Sequence, residues 1–140
     1  MSDSAFVDTN VLVYAVEADD GSSAKGRTAR NLVRMEGIWI STQVLGEFFS
    51  AVTSSRRASP LTPQEAIAWV QFWKRLNVSE LTTPHVDLAL ELVLQYRISY
   101  YDALIVATAS LAGCAVVYSE DLSHGQTYGD VRVQNPFRES

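Results

Sequence analysis

At 140 residues the chain is the size of one domain, long enough to bury a layered core without disulfide or metal staples. Hydrophobic residues make up 47% and charged residues 19%, which excludes a disordered chain, and the single cysteine, Cys114, excludes an internal disulfide framework and a cysteine-rich zinc site. The net charge of −5 argues against a general nucleic-acid binder that neutralises many phosphates with lysine and arginine; either the partner is not a polyanion or bound cations repair the local field.

In chain order, Ala5-Phe6-Val7 reads as a first strand, ended by Asp8-Thr9-Asn10, and Val11 to Val16 as a short buried helix. Ser22 or Ser23 caps a second helix running to about Met35, with Ala24, Ala29, Leu32 and Val33 inward and Lys25, Arg27, Arg30 and Arg34 outward. Gly37 stops it, Ile38 to Ser41 forms a short apolar strand, and Gln43 to Arg57 a third helix. After the turn Ser59-Pro60-Leu61, Thr62-Pro63-Gln64-Glu65 combines a hydroxyl cap, a proline at the first helical position and a carboxylate three residues after the cap, opening a helix to about Leu76. Asn77 to Leu81 fits a strand, Thr83-Pro84 opens a helix to Arg97, and Ser99-Tyr100-Tyr101-Asp102 opens the last long one. That helix closes at Gly113, Cys114 to Tyr118 is a buried strand, and Val131-Arg132-Val133 a final small one before Asn135-Pro136-Phe137. Strands alternating with helices imply parallel crossovers and an α/β sandwich, in one domain spanning residues 1–140.

The apolar stretch from Ala103 to Tyr118 is shorter than the roughly 20 residues a spanning helix needs, and Thr108, Ser110 and Gly113 interrupt it, so no membrane insertion is expected. The N-terminus carries no basic segment followed by an apolar core; no secretory signal and a cytoplasmic location are therefore expected.

Four acids stand out by position. Asp8 and Asp121 follow strands, Glu47 rides the helix after Ile38 to Ser41, and Asp102 begins the helix that leads into the strand before Asp121. In an open α/β sheet, strand carboxyl ends and neighbouring helix N-termini share one rim, where ligands bind. Each acid also has a plainer account. Asp102, three after Ser99, suits a capping box; Asp8 suits a helix cap; Asp121 suits a surface turn. Glu47 lies about 60° round its helix from Val44, at the margin of an arc of Val44, Leu45, Phe48 and Val52. Together on one rim, with no lysine or arginine adjacent in sequence, the carboxylates demand a cation. Oxygen donors without cysteine or suitably spaced histidine suit a hard ion such as Mg²⁺, which polarises phosphodiesters and activates water. His124 reads as a surface loop residue, and Arg27, Arg30 and Arg34 as a solvated face or a contact to phosphate backbone.

With these residues in view the chain resembles a PIN-domain ribonuclease, specifically a VapC-type toxin of bacterial toxin–antitoxin pairs. The resemblance rests on Phe6 to Leu12, Ser41 to Phe48, Tyr101 to Ala109, and Ser119-Glu120-Asp121-Leu122 with Gly125-Gln126, and extends to Asn135-Pro136-Phe137. It implies a three-layer α/β/α sandwich on a mainly parallel sheet of about four to five short strands. It implies a Mg²⁺- or Mn²⁺-dependent endoribonuclease inhibited by a cognate, VapB-like antitoxin, with RNA as substrate. By position Asp8, Glu47, Asp102 and Asp121 match the catalytic quartet, with Asp8, Asp102 and Asp121 on metal and Asn10 and Ser119 in support. Many relatives carry another acid two residues after the last aspartate; Ser123 stands there here, leaving Glu120 as a substitute.

A receiver-like phosphoacceptor would show an acidic pair before its first helix and a lysine after its last major strand, and an Asp-x-Asp phosphatase an acid where Asn10 stands. The remaining rival is a catalytically inactive PIN-fold interaction module. On the helix from Thr62, Ile67, Trp69, Val70, Phe72, Trp73 and Leu76 spread over roughly 200°, wider than a core stripe requires. Part of that arc is expected to meet another chain, a second copy in a homodimer or the antitoxin.

Overall fold

The computed structural model describes residues 4–17 and 23–138. The expected cap at Ser22 falls outside them. Among the described residues the order is β1 (Ala5–Val7), α1 (Thr9–Ala15), α2 (Ala24–Val33), β2 (Ile38–Ser41), α3 (Thr42–Thr53), α4 (Pro63–Trp73), β3 (Asn77–Ser79), α5 (Thr83–Tyr96), α6 (Tyr100–Leu111), β4 (Val116–Tyr118), β5 (Thr127–Tyr128) and β6 (Val131–Gln134). The strands form one sheet in the order β3-β2-β1-β4-β6-β5. Pairing is parallel from β3 across to β6, and only the β5–β6 hairpin is antiparallel. Helices α1 to α4 pack among themselves, while α5 packs on α6 and α6 on β4 and β6, consistent with a three-layer sandwich.

The sheet has six strands, one or two more than expected. The extra one is β5, two residues long, which pairs with β6 through a turn whose Gly129 takes φ 62°. Positive φ is a conformation that glycine adopts without the Cβ clash of other residues.

Local chemistry sets the helix ends. Ser23, Ser41, Thr62 and Ser99 each accept a backbone N–H from the first turn of α2, α3, α4 and α6. At Thr62 the bond is reciprocal, since Glu65 accepts the Thr62 N–H at 2.9 Å. Helix α3 stops at Thr53, short of the expected Arg57. Ser54 turns extended, and the returning chain places the Leu61 N–H on the Val52 carbonyl at 2.8 Å. Helix α6 ends at Gly113 with φ 81°, and the Cys114 N–H reaches back to the Ala109 carbonyl.

Phe6, Val7, Val11, Leu12, Ile40, Val44, Phe48, Val106 and Val117 are fully buried and form the centre of the core. Cys114 is buried as well, and its burial pushes the thiol up to about 11. Two expectations for α2 do not hold: Ala24 is exposed rather than inward, and Arg30 is half-buried rather than outward. Arg30 and Arg34 line an aromatic groove with Trp69, Phe72 and Trp73, which draws their stems onto apolar surface. No helix among the described residues is long and apolar enough to cross a membrane.

Candidate active site

Three adjacent parallel strands end side by side and bring the first pieces of the site together. The Asp8 N–H, just past β1, donates to the Tyr118 carbonyl at the end of β4 at 3.0 Å, and the Ser119 N–H donates to the Gln134 carbonyl at the end of β6 at 3.1 Å. Asp8 and Ser119, 111 residues apart, thereby become neighbours, and the Ser119 hydroxyl donates to Asp8 Oδ2 at 2.8 Å. The other Asp8 oxygen accepts the Thr9 N–H at 2.7 Å and caps α1.

Ser119 is a hub. Its Oγ accepts the N–H groups of Asp121 at 3.1 Å and Leu122 at 3.3 Å, which folds the loop after β4 back on itself. Asn10, on the first turn of α1, completes the tie. Its amide donates to Asp121 Oδ2 at 3.2 Å, and its carbonyl oxygen accepts the Glu120 N–H at 3.2 Å. Asn10 and Ser119, the two polar residues expected beside the acids, are thus hydrogen-bonded to Asp121 and Asp8.

Glu47 comes from the second turn of α3; it is exposed and accepts the Thr9 hydroxyl at 3.0 Å and the Gln43 amide at 3.4 Å. Asp102 lies in the first turn of α6, where its N–H is capped by Ser99 Oγ at 3.2 Å. Asp8, Glu47, Asp102 and Asp121 all line one cleft of about 420 Å³, with Thr9, Asn10, Gln43 and Tyr101 among its other walls. The four acids expected on this rim all line the same cleft. Thr9, Gln43 and Tyr101 are additions that sequence reasoning missed. Of these, only Gln43 carried a readable signal, four residues before Glu47 on the same helical face.

The electrostatics centre on Asp8. The side chain is 7% exposed, and burial is the main reason its carboxyl is pushed up to about 6. The Ser119 and Thr9 hydrogen bonds pull the other way, while the charges of Asp121 and Glu47 add to the rise. A carboxylate so placed gains from a cation alongside it. Among the described residues no group of three or more carboxylates, thiols or imidazoles stands close enough to hold one ion. Mg²⁺ keeps several waters and needs only one or two direct carboxylates, so the oxygen-only donors around Asp8 fit such an ion in a largely hydrated form.

Glu120 does not join this set. Lys25 on α2 forms an ion pair with one of its oxygens, and the Tyr14 hydroxyl donates to the other at 2.6 Å. Burial opposes ionisation of Glu120, but these two hydrogen bonds outweigh it and hold the carboxyl below its ordinary value. The acid left over beside Ser123 thus braces the loop through α1 and α2. His124 is exposed, and its Nδ1 accepts the Asn135 N–H at 3.0 Å, a turn contact.

The sequence profile of the PIN domain matches residues 5–129. No curated protein matches the chain at the sequence level. Among solved structures, the chain is similar to the Mycobacterium tuberculosis VapC20 toxin, described as cleaving the sarcin–ricin loop, with 24% identity and a TM-score of 0.65 over 84% of this chain and 90% of that one. It is similar to a toxin–antitoxin complex from Klebsiella pneumoniae at 17% identity and a TM-score of 0.71, covering 97% of this chain and 100% of that one. A DNA-bound VapBC complex from Salmonella typhimurium gives 20% identity and a TM-score of 0.70, over 97% and 99% of the two chains.

Proposed function

Because the chain belongs to the PIN-domain family, we propose that it is a divalent-metal-dependent endoribonuclease acting as the toxin of a toxin–antitoxin pair. The observation that carries this reading is the convergence of Asp8, Glu47, Asp102 and Asp121 on one cleft, with the least exposed of them costly to ionise without a cation. The similarity to a toxin described as cleaving the sarcin–ricin loop supports RNA as the substrate. A bound Mg²⁺ or Mn²⁺ would supply charge neutralisation at the phosphate and make water acidic enough to attack it. On this reading Asp8 and Asp102 would hold the ion, directly or through water, and Asp121 would complete its surroundings. Glu47, kept in orientation by Thr9 and Gln43, would take the proton of the attacking water. Ser119 and Asn10 fix Asp8 and Asp121 so that little reorganisation is needed when RNA enters.

The partner would be a VapB-like antitoxin, in keeping with the toxin–antitoxin complexes the chain resembles, with the toxin itself a homodimer in the cytoplasm. Helix α4 supports a protein partner. Ile67 is 50% and Phe72 40% exposed. Trp73 is core, so the arc expected to need cover narrows to Ile67, Phe72 and the half-buried Trp69.

The test is digestion of RNA by protein purified free of antitoxin. Cleavage should require Mg²⁺ or Mn²⁺ and stop with chelator, and Glu47→Gln should lower the rate by about 10²- to 10⁴-fold. Asp8→Asn, Asp102→Asn and Asp121→Asn should each remove most activity while the fold survives. Antitoxin binding without any RNA cleavage would favour the rival reading, a catalytically inactive interaction module.

A further inference from the structure

The cleft that gathers the acids is not acidic throughout. Val13, Ala51, Tyr101 and Ile105 line it too, and its volume of about 420 Å³ falls within the roughly 300–1,000 Å³ of small-ligand sites. Tyr101 is the residue before Asp102 on α6 and is 64% exposed. It packs edge-on against Tyr100 with centroids 5.1 Å apart, and Tyr100 packs on the core, so the exposed ring is braced. A solvent-facing aromatic one residue from a cleft acid offers a face to something planar.

Charge sharpens the choice. The chain carries a net −5, and among the described residues no lysine or arginine lines the cleft. Neutralising many phosphates with basic side chains is therefore a poor source of RNA affinity at this cleft, and contacts to the bases must contribute more. Resting on the nuclease reading above, we propose that the apolar wall of the acidic cleft seats an unpaired nucleobase beside the bond to be cut, stacked on Tyr101. Stacking on an aromatic side chain requires a base free of its helix, so this seat selects single-stranded segments and loops over duplex. It is tolerant of base identity, because every base presents a π face.

The test uses a single-stranded RNA oligonucleotide selected from a randomised pool by wild-type cleavage, and the same oligonucleotide with the bases flanking the cut site removed one at a time. Tyr101→Ala should lower kcat/KM by about ten-fold, mainly through KM, and Tyr101→Phe should stay within about two-fold of wild type. One abasic substitution should lower wild-type kcat/KM by a similar factor and have little further effect on Tyr101→Ala. Equal kcat/KM for Tyr101→Ala and wild type would overturn the proposal, as would losses from variant and abasic substrate that multiply. A changed oligomeric state in Tyr101→Ala on size-exclusion chromatography would assign the ring to a protein contact and also overturn it. Wild-type protein that cuts no RNA would instead remove the nuclease reading on which the seat depends.

Discussion

Asp8 is held by two hydrogen bonds in a place where its charge is unwelcome. Its carboxyl sits at about 6 in the fold against 3.8 for an ordinary aspartate, so the folded state holds the proton more tightly than the unfolded chain. The fold is therefore favoured at low pH by this group, and that contribution is lost as pH rises from about 3.8 through about 6, on the order of 3 kcal/mol in all. Asparagine keeps an acceptor for the Thr9 N–H and carries no charge. In ion-free buffer near pH 7.5, Asp8→Asn should melt higher than wild type by calorimetry, and its midpoint should fall less between about pH 4 and 7; a lower midpoint would contradict the assignment. Residue by residue, Asp8 and Asp121 were legible because strand ends are readable from apolar runs. The Lys25–Glu120 pair was not, since its partners are 95 residues apart and only the packing of α2 beside the loop after β4 joins them.

Most elements were legible because their ends are written in local chemistry. The capping box at Thr62 and Glu65, the Ser99 cap and the Gly113 stop each appear where hydroxyl, carboxylate or glycine stood in the sequence. Helix α3 was overextended because its last turn is decided by a long-range contact, Leu61 to Val52, which no periodicity encodes. Strand β5 was missed because two residues carry no alternation. Helix α5 ends less comfortably than the others: Arg97 takes φ 56°, a left-handed conformation, and donates its N–H to Val93. Glycine adopts that backbone freely, so Arg97→Gly should stabilise the fold by roughly 0.5–1 kcal/mol, partly offset by the added freedom of the unfolded chain. Urea titration would read this as a higher midpoint with unchanged slope; a lower midpoint would mean the Arg97 side chain outweighs the strain.

At the scale of the molecule, the strand order places β1 at the centre, with β2 and β3 on one side and β4, β6 and β5 on the other. The chain changes direction across the sheet at this point, and the acids collect at the adjacent carboxyl ends, as the topology of parallel sheets favours. The outward face of α4 supplies a second surface, where Arg75 lies 3.8 Å over the Phe72 ring and leaves Ile67 half in water. If the proposed function holds, replacing both Ile67 and Phe72 with serine should weaken binding of the proposed antitoxin or self-association by about ten-fold or more while RNA cleavage by the free protein persists, measured by calorimetric titration and sedimentation. Unchanged affinity and mass would move the partner surface elsewhere.

The sheet is bordered by β3 and β5, strands of three and two residues. Such brief borders present few unpaired peptide groups to a neighbouring copy, which blunts templated fibril growth. The concentrated protein should accordingly lose solubility as amorphous precipitate that does not enhance thioflavin fluorescence, with the helical surfaces driving the clumping.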